Sequence, residues 1–345
     1  LSPSTGRLGR KWDHSYNICL EKVFDPNDSN PDKYFLYNGS GKSLLFQQQP
    51  SGVPGEFGNE YVCPSDTDQK LFETDYGFRL HKKGGRVWKF NSYLRIDAIE
   101  DIHGNQITFR YSSGNLDKVT NDAGNYIQFH YDSTNMIEYI TDNLGRTFTY
   151  NRDAQFDLVE VLKPGNEGSR LAYTYIGDSL LSTAIDGDNN VWQENVYDGE
   201  ERIIAQRYGD DYFNNTYYTD ANGIVDYVDT IDRNGNLKRV SLTENGLART
   251  VGAELDSGDW AETEYYYDFD VTGEPESESQ CLVQRVVRPE GDIYLYEYDD
   301  RGNTTAVVHK RNDTDPGLRT EFTYSNGLKS LPETVTDPLG NTTEY

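Results

Sequence analysis

Few groupings in this sequence have residue types and spacings that could do chemistry. Gly39-Ser40-Gly41-Lys42-Ser43 contains Gly-Lys-Ser, the end of a loop that cradles phosphates with backbone N–H groups and a lysine. That loop needs another glycine five residues before Gly41 and a helix after Ser43. Position 36 is Leu and an alternating run follows, so a turn is expected instead. Asp186-Gly187-Asp188-Asn189-Asn190 alternates oxygen donors as a calcium loop does, which makes Asp186, Asp188 and Asn190 a metal candidate. The Glu that closes such a loop at its twelfth place is missing: that place holds Tyr197. The five histidines (His14, His81, His103, His130 and His309) stand neither at ligand spacing from one another nor beside a Cys pair. Carboxylates abound, but glycoside hydrolysis needs two at a set separation in a cleft, and no Gly-x-Ser-x-Gly elbow occurs. No catalytic residue and no cofactor is assigned. A carbohydrate-active enzyme on a β-repeat stays as a remote alternative.

Most of these candidates fall inside one recurring phrase, which points to the elements that hold them. Its clearest copy is Ile140-Thr141-Asp142-Asn143-Leu144-Gly145-Arg146-Thr147-Phe148-Thr149-Tyr150, and another is Val335-Thr336-Asp337-Pro338-Leu339-Gly340-Asn341 to Tyr345. Alternating apolar and polar residues ask for a strand, because side chains change face at every step. An Asp-x-x-Gly between two such runs asks for a tight turn: the carboxylate bonds the backbone two residues on, and Gly takes the positive φ of a bulged turn. Each copy is therefore expected to be a β-hairpin. The frame returns with Asp101, Gly104, Asn105 and Tyr111; around Gly124 and Tyr131; with Asp232 and Gly235; and with Tyr298, Asp299 and Gly302. Gly104, Gly124 and Gly145 are 20 and 21 residues apart. A fixed period of this size marks a repeat architecture. The expected structural set is Asp101, Gly104, Asp142, Gly145, Asp232, Gly235, Asp299, Gly302, Asp337 and Gly340 for the turns, with Tyr111, Tyr131, Tyr150 and Tyr298 closing strands.

Composition agrees. The chain has 345 residues, 27 Tyr, 14 Phe and one Met, and only 35% hydrophobic residues. That suits a sheet with little two-sided burial, held by aromatic side chains stacked across strands. Mean hydropathy is −0.80, and neither face is expected to carry an oily layer. A net charge of −26 argues against nucleic acid, which needs clustered Lys and Arg, and against an anionic membrane surface. It favours solubility; a salt-adapted host would explain it equally well. No apolar run is long enough for a membrane span. Cys19, Cys63 and Cys281 are no disulfide framework, and a Cys19–Cys63 bridge stays open.

Along the chain, residues 1–97 read as leader hairpins. Lys33 to Tyr37 and Lys42 to Phe46 flank Asn38 to Gly41, and Gly77 to His81 and Val87 to Phe90 flank a Lys/Gly turn. Residues 47–59 are expected to be a polar loop. Residues 98–345 read as repeats of about 20 residues. Strands are expected at Leu171 to Tyr175, Val191 to Tyr197 and Ile203 to Tyr208, and a loop insertion near 252–280. No 3.6-residue apolar stripe predicts a helix. Leu1 and Tyr345 both look like cut points in a longer protein.

The phrases resemble the RHS or YD-repeat family. The resemblance rests on the repeats with their Tyr-Asp pairs (Tyr131-Asp132, Tyr197-Asp198, Tyr267-Asp268, Tyr298-Asp299), on the opening Gly9-Arg10-Lys11-Trp12-Asp13-His14-Ser15-Tyr16, and on the junction from Gly85-Arg86-Val87-Trp88-Lys89-Phe90 into Ile99 to Asn105. It covers essentially the whole chain. It implies an all-β fold: YD-repeat β-hairpins in a continuous spiralling antiparallel sheet that forms part of a hollow shell. In that family, known from bacterial polymorphic toxins, insecticidal toxin complexes and teneurins, the shell encloses a C-terminal polypeptide, often a toxin. The plug and self-cleavage motif that close many bacterial shells are not in this sequence. The implied work is a structural wall in a secreted or cell-surface protein. The implied partners are a C-terminal effector or further repeats of the same polypeptide. The alternative is an adhesion module that binds surface glycans or proteins through a tyrosine-rich face.

Overall fold

A computed structural model describes residues 7–23, 33–41, 43–48, 59–63, 69–82, 84–165, 170–244, 246–273, 281–299, 303–324 and 332–345. Among these residues lie 29 strands and one five-residue helix. The chain is all-β and antiparallel. Two compact units are present, one within Leu1–Asn190 and one within Val191–Asn326 and Pro332–Tyr345. Inside each unit every strand pairs antiparallel with the next in sequence, so the sheet is a meander of hairpins.

The expected hairpins are present. Lys33–Asn38 pairs with Ser43–Gln48, Gly77–Lys82 with Val87–Asn91, and Ile137–Asp142 with Thr147–Arg152. Arg170–Ile176, Val191–Tyr197 and Ile203–Tyr208 are strands. Two expectations need correction. The stretch 252–280 is not one loop: Ala248–Glu254 pairs with Trp260–Tyr267 across a tight turn, and residues 274–280 lie outside the described set. A helix also occurs, Asp268–Thr272. It is too short for an apolar stripe and is set by its ends. Asp270 Oδ2 accepts from the Tyr267 N–H at 2.7 Å, and Gly273 closes it with a left-handed φ of 74°.

The first unit departs from the expected thin sheet. Leu20, Leu36, Phe46, Tyr61, Leu71, Leu80, Phe90 and Ile96 are buried in one apolar cluster that reaches Phe129 and Ile137. The alternation in Lys33–Asn38 and Gly77–Lys82 puts Tyr34 and Leu36, and Phe78 and Leu80, on the inward face. Neighbours Leu71 and Phe72 are both fully buried, so this strand is covered on both sides. An average mean hydropathy over the chain hid this concentration. Cys19 and Cys63 are buried thiols, not a bridge.

The second unit fits the composition better. Its buried apolar side chains among the described residues are Tyr267, Phe269, Ile293 and Ala306. Cross-strand pairs stand in for a core. Tyr218 stacks on Tyr227 at 4.2 Å, and Arg239 lies over Tyr227 and Trp260 while bonding both oxygens of Asp229. Asn195, buried between strands, accepts from Gln206 Nε2 at 2.9 Å.

Candidate functional site at the repeat corners

The turn comes first, because its residues recur most. Asp101 Oδ1 accepts from the N–H groups of His103 and Asn105 at 2.8 and 2.9 Å. The Gly104 N–H donates to Asp101 O, and the Asp101 N–H donates to Asn105 O. Gly104 takes φ +86°, as the bulged turn requires. The polar residue after the glycine also has a reason: Asn105 Nδ2 donates to Asp101 Oδ2 at 2.8 Å. Asn236 and Asn341 repeat this toward Asp232 and Asp337, and Arg146 Nε does it for Asp142 at 2.6 Å. Asp299 keeps the same bonds with Asn303; Gly302 lies outside the described residues.

These bonds favour the ionised carboxylate. The Asn side chain is the leading cause that holds the pKa of Asp101, Asp232 and Asp337 below the ordinary value. At Asp142 burial pushes upward, but the Arg146 and backbone bonds outweigh it. Asp186 sits in the same turn. Its oxygens accept from the Asp188 N–H, the Asn190 N–H and Asn190 Nδ2, and no group of three or more metal-ligating side chains gathers among the described residues.

Several turns do not carry the glycine that marks the phrase in sequence. Asn135, Phe156, Asn189 and Glu201 hold the left-handed φ after Asp132, Asp153, Asp186 and Asp198. The two signals are separable: Asn121, Thr243, Leu255 and Arg288 open the same turn on Gly124, Gly246, Gly258 and Gly291 without an Asp, and where the Asp is present its side chain organises the turn whichever residue bends.

The strand-closing tyrosines come next. A register shift stands at Tyr131, Tyr175, Tyr197, Tyr267, Tyr298 and Tyr324. A bulge lets a side chain leave the pleat, and five of these hydroxyls reach back over the preceding hairpin to a backbone carbonyl. Tyr131 donates to Leu116 O at 2.8 Å, Tyr267 to Ala248 O at 2.8 Å, Tyr298 to Val283 O at 2.7 Å and Tyr324 to Thr304 O at 2.9 Å; Tyr175 donates to Leu158 O. Tyr217 reaches Ile203 O two residues before the bulge at Thr219. Each acceptor is the first or second residue of its strand. Arg152 takes the tyrosine's place once: Nη1 donates to Ile137 O at 2.6 Å and Nη2 to Asp132 Oδ2 at 2.6 Å. At Tyr131-Asp132 and Tyr298-Asp299 the pair is thus a corner: Tyr ties one hairpin to the last, and Asp turns the chain into the next. Tyr150 packs against the apolar cluster, and burial raises its pKa. Tyr111 lies under Arg95, and burial raises its pKa as well.

The opening motif has a geometric role that its spacing did not show. Residues 7–17 form a strap along the corners of the first unit. The Ile137 N–H donates to Arg7 O, and the Arg10 N–H donates to Phe156 O. A Cβ on Gly9 would meet Leu158 N at 2.8 Å. Arg10 pairs with Asp157 at 3.2 Å. Trp12 Nε1 donates to Tyr175 Oη at 2.7 Å while its ring packs on Tyr173 at 4.8 Å. The strap then returns: His14 faces Phe129 and Tyr16 faces Phe109. Gly39, from the loop that held Gly-Lys-Ser, lies so close to His14 O that a Cβ would be 2.4 Å away. Burial lowers the His14 pKa to about 4, leaving a neutral ring at pH 7. His130 stacks on Tyr139 at 4.2 Å, on the face opposite buried Phe129.

No protein-family profile and no curated protein matches this sequence. Among solved structures, the chain is similar to TcdB2-TccC3 without its hypervariable C-terminal region, with a TM-score of 0.49 and 10% identity over 93% of this chain and 21% of that one. It is also similar to a Tc holotoxin pore of Photorhabdus luminescens, with a TM-score of 0.45 and 10% identity over 89% of this chain and 19% of that one. The chain spans about a fifth of the length of these chains.

Proposed function

We propose that this chain is a wall segment of an RHS-type shell in a secreted or cell-surface protein, enclosing or displaying an effector carried on the same polypeptide. The observation that carries this reading is the corner itself. At Tyr131-Asp132 and Tyr298-Asp299 the corner joins three successive strands through a tyrosine bond to a backbone carbonyl and carboxylate bonds to nearby backbone N–H groups. Such a sheet can be lengthened by repeating the unit, without a core that must be redesigned at each step. Backbone groups are satisfied by neighbouring hairpins, which suits a wall with polar surfaces. No helix among the described residues is long and apolar enough to cross a membrane.

Electron microscopy of the full-length protein tests the proposal. A hollow particle with density inside is expected; a solid rod or an empty open ribbon would overturn it. Exposed Tyr212 and Tyr218, on one face of the strand Asp211–Thr219 in the second unit, favour one other reading, a surface that binds glycans. Saturable binding on a glycan array that is lost in Tyr212→Ala would establish it, and an empty array would dispose of it.

A further inference from the structure

A cavity of about 60 Å³ lies in the first unit between the strap and the strands behind it, lined by Arg7, His14, Asn17, Arg95, Tyr111 and Tyr131 among others. On this scale one water needs roughly 10–15 Å³, so the space suits a few waters or one compact ion. Two guanidiniums share its wall, and each gives one N–H to a neutral acceptor: Arg7 to Asn115 Oδ1 and Arg95 to Gly114 O. Arg95 also rests 5.3 Å over the Tyr111 ring. A guanidinium has five N–H donors, so most remain. Neither arginine has a carboxylate within 4.0 Å among the described residues. Asp13, Glu21, Asp97 and Asp117 are near enough to influence Cys19, Tyr111 and Tyr131, but none lines the cavity.

The remaining lining offers little competition for an anion. The Cys19 thiol is protonated, its pKa pushed up to about 12 chiefly by burial. Tyr131 is likewise held neutral to about 12 by burial. In the same wall, His14 Nδ1 and Asn17 Nδ2 are buried without hydrogen-bond partners. Asn17 is close enough to Asp13 to lower its pKa, yet that approach does not make a hydrogen bond of good geometry. Gly114 at the rim is exposed, so the cavity can be reached from solvent.

We propose that this cavity is a binding site for a small oxyanion, gripped by Arg7 and Arg95. Two partly buried guanidiniums on one cavity wall, neither with a carboxylate partner among the described residues, favour an anion between them even in a chain of net charge −26. The planar, forked donors of arginine match the oxygens of a carboxylate, sulfate or phosphate.

The test is isothermal titration of sodium sulfate, sodium phosphate and sodium acetate into the whole chain, with sodium chloride of equal ionic strength as reference. The expected result is saturable binding of at least one oxyanion at one site per chain. Arg95→Gln should weaken it at least tenfold, and Arg7→Gln should weaken it too. Arg110→Gln, whose guanidinium is paired with Asp117, should leave it unchanged. Circular dichroism checks that each variant folds. Should Arg95→Gln fail to fold, the wild-type titration and Arg7→Gln still decide. Heats no larger than those of chloride, or undiminished binding in folded Arg95→Gln and Arg7→Gln, would overturn the site.

Discussion

At the scale of single residues, a carboxylate organises the corner even where no glycine bends it. Asp132 shows the energetics because it serves two corners. Its Oδ1 accepts from the Thr134 and Met136 N–H groups and its Oδ2 from Arg152, whose side chain is 9% exposed. Asp132→Ala therefore strands two turn donors and a mostly buried cation, a loss of about 1–3 kcal/mol. Asp132→Asn keeps the acceptor and should lose less; equal losses in urea unfolding would show that the charge alone matters. The turn carboxylates also set the acid limit. Hydrogen bonds hold Asp101, Asp186, Asp232 and Asp337 below their ordinary pKa, while an unfolded Asp titrates near about 3.9. With folded values depressed, their contribution is complete above that pH and is lost as pH falls through the folded values. Unfolding free energy should fall in two stages: from about pH 6.5 downward, where an unfolded histidine takes up a proton that buried His14 resists down to about 4, and again below about pH 4 as these Asp are protonated. A profile flat down to about pH 5 would show that His14 is not held neutral, and one with no second drop below about pH 4 would show that the Asp bonds add little.

At the scale of elements, the hairpins were legible in the sequence and the ties between them were not. Alternation and Asp-x-x-Gly located Ile137–Asp142 against Thr147–Arg152, because both signals are local. The hydroxyl of Tyr298 reaching Val283 spans 15 residues, and only a register shift aims it there; no spacing rule encodes that. Arg152 was missed because an arginine replaced the tyrosine, although Asp153 after it kept the frame. Tyr298→Phe tests the tie: it should cost about 0.5–1.5 kcal/mol, whereas Phe at exposed Tyr345, which makes no such tie, should cost nothing measurable. Tyr131 adds an alkaline signature. Burial raises its folded pKa to about 12 against about 10 unfolded, so its contribution is complete below about pH 10 and is lost between these values. Tyrosinate absorbance should show one more late-titrating group in wild type than in Tyr131→Phe. The strap belongs to this scale too. Trp12→Ala removes the bond to Tyr175 and the packing on Tyr173 at an expected cost of about 2–4 kcal/mol. Faster hydrogen exchange at Ile137 N–H, which donates to the strap, should accompany it; unchanged exchange there would separate Trp12 from the strap's hold on the sheet.

At the scale of the molecule, the two units are stabilised by different physics. The first has an apolar cluster from Leu8 to Ile137. The second has four buried apolar side chains among its described residues and relies on stacked tyrosines and ion pairs such as Arg239 with Asp229 at 2.7 Å. Charge is also uneven. Residues 191–345 carry 32 of the 58 Asp and Glu but only 13 of the 32 Lys and Arg, a net of −19 against −7 for residues 1–190. Self-repulsion therefore weighs on the second unit. Salt acts on it in two opposed ways: it screens that repulsion and it weakens surface ion pairs. Exposed pairs are worth only about 0–1 kcal/mol each, whereas the repulsion sums over like charges on adjacent strands, which lie about 4.8 Å apart, within the Debye length of about 10 Å at 0.1 M. Relief of repulsion should win. Calorimetry is expected to show two transitions, with the lower one belonging to the second unit. That lower transition should rise by about 5 °C between low salt and 0.5 M sodium chloride, while the upper one moves less. Hydrogen exchange just below the first transition assigns it, since amides of Trp260–Tyr267 and Ile293–Tyr298 should be lost before those of Gly77–Lys82. A single transition insensitive to salt would mean that the corners couple the whole sheet more strongly than the uneven cores divide it.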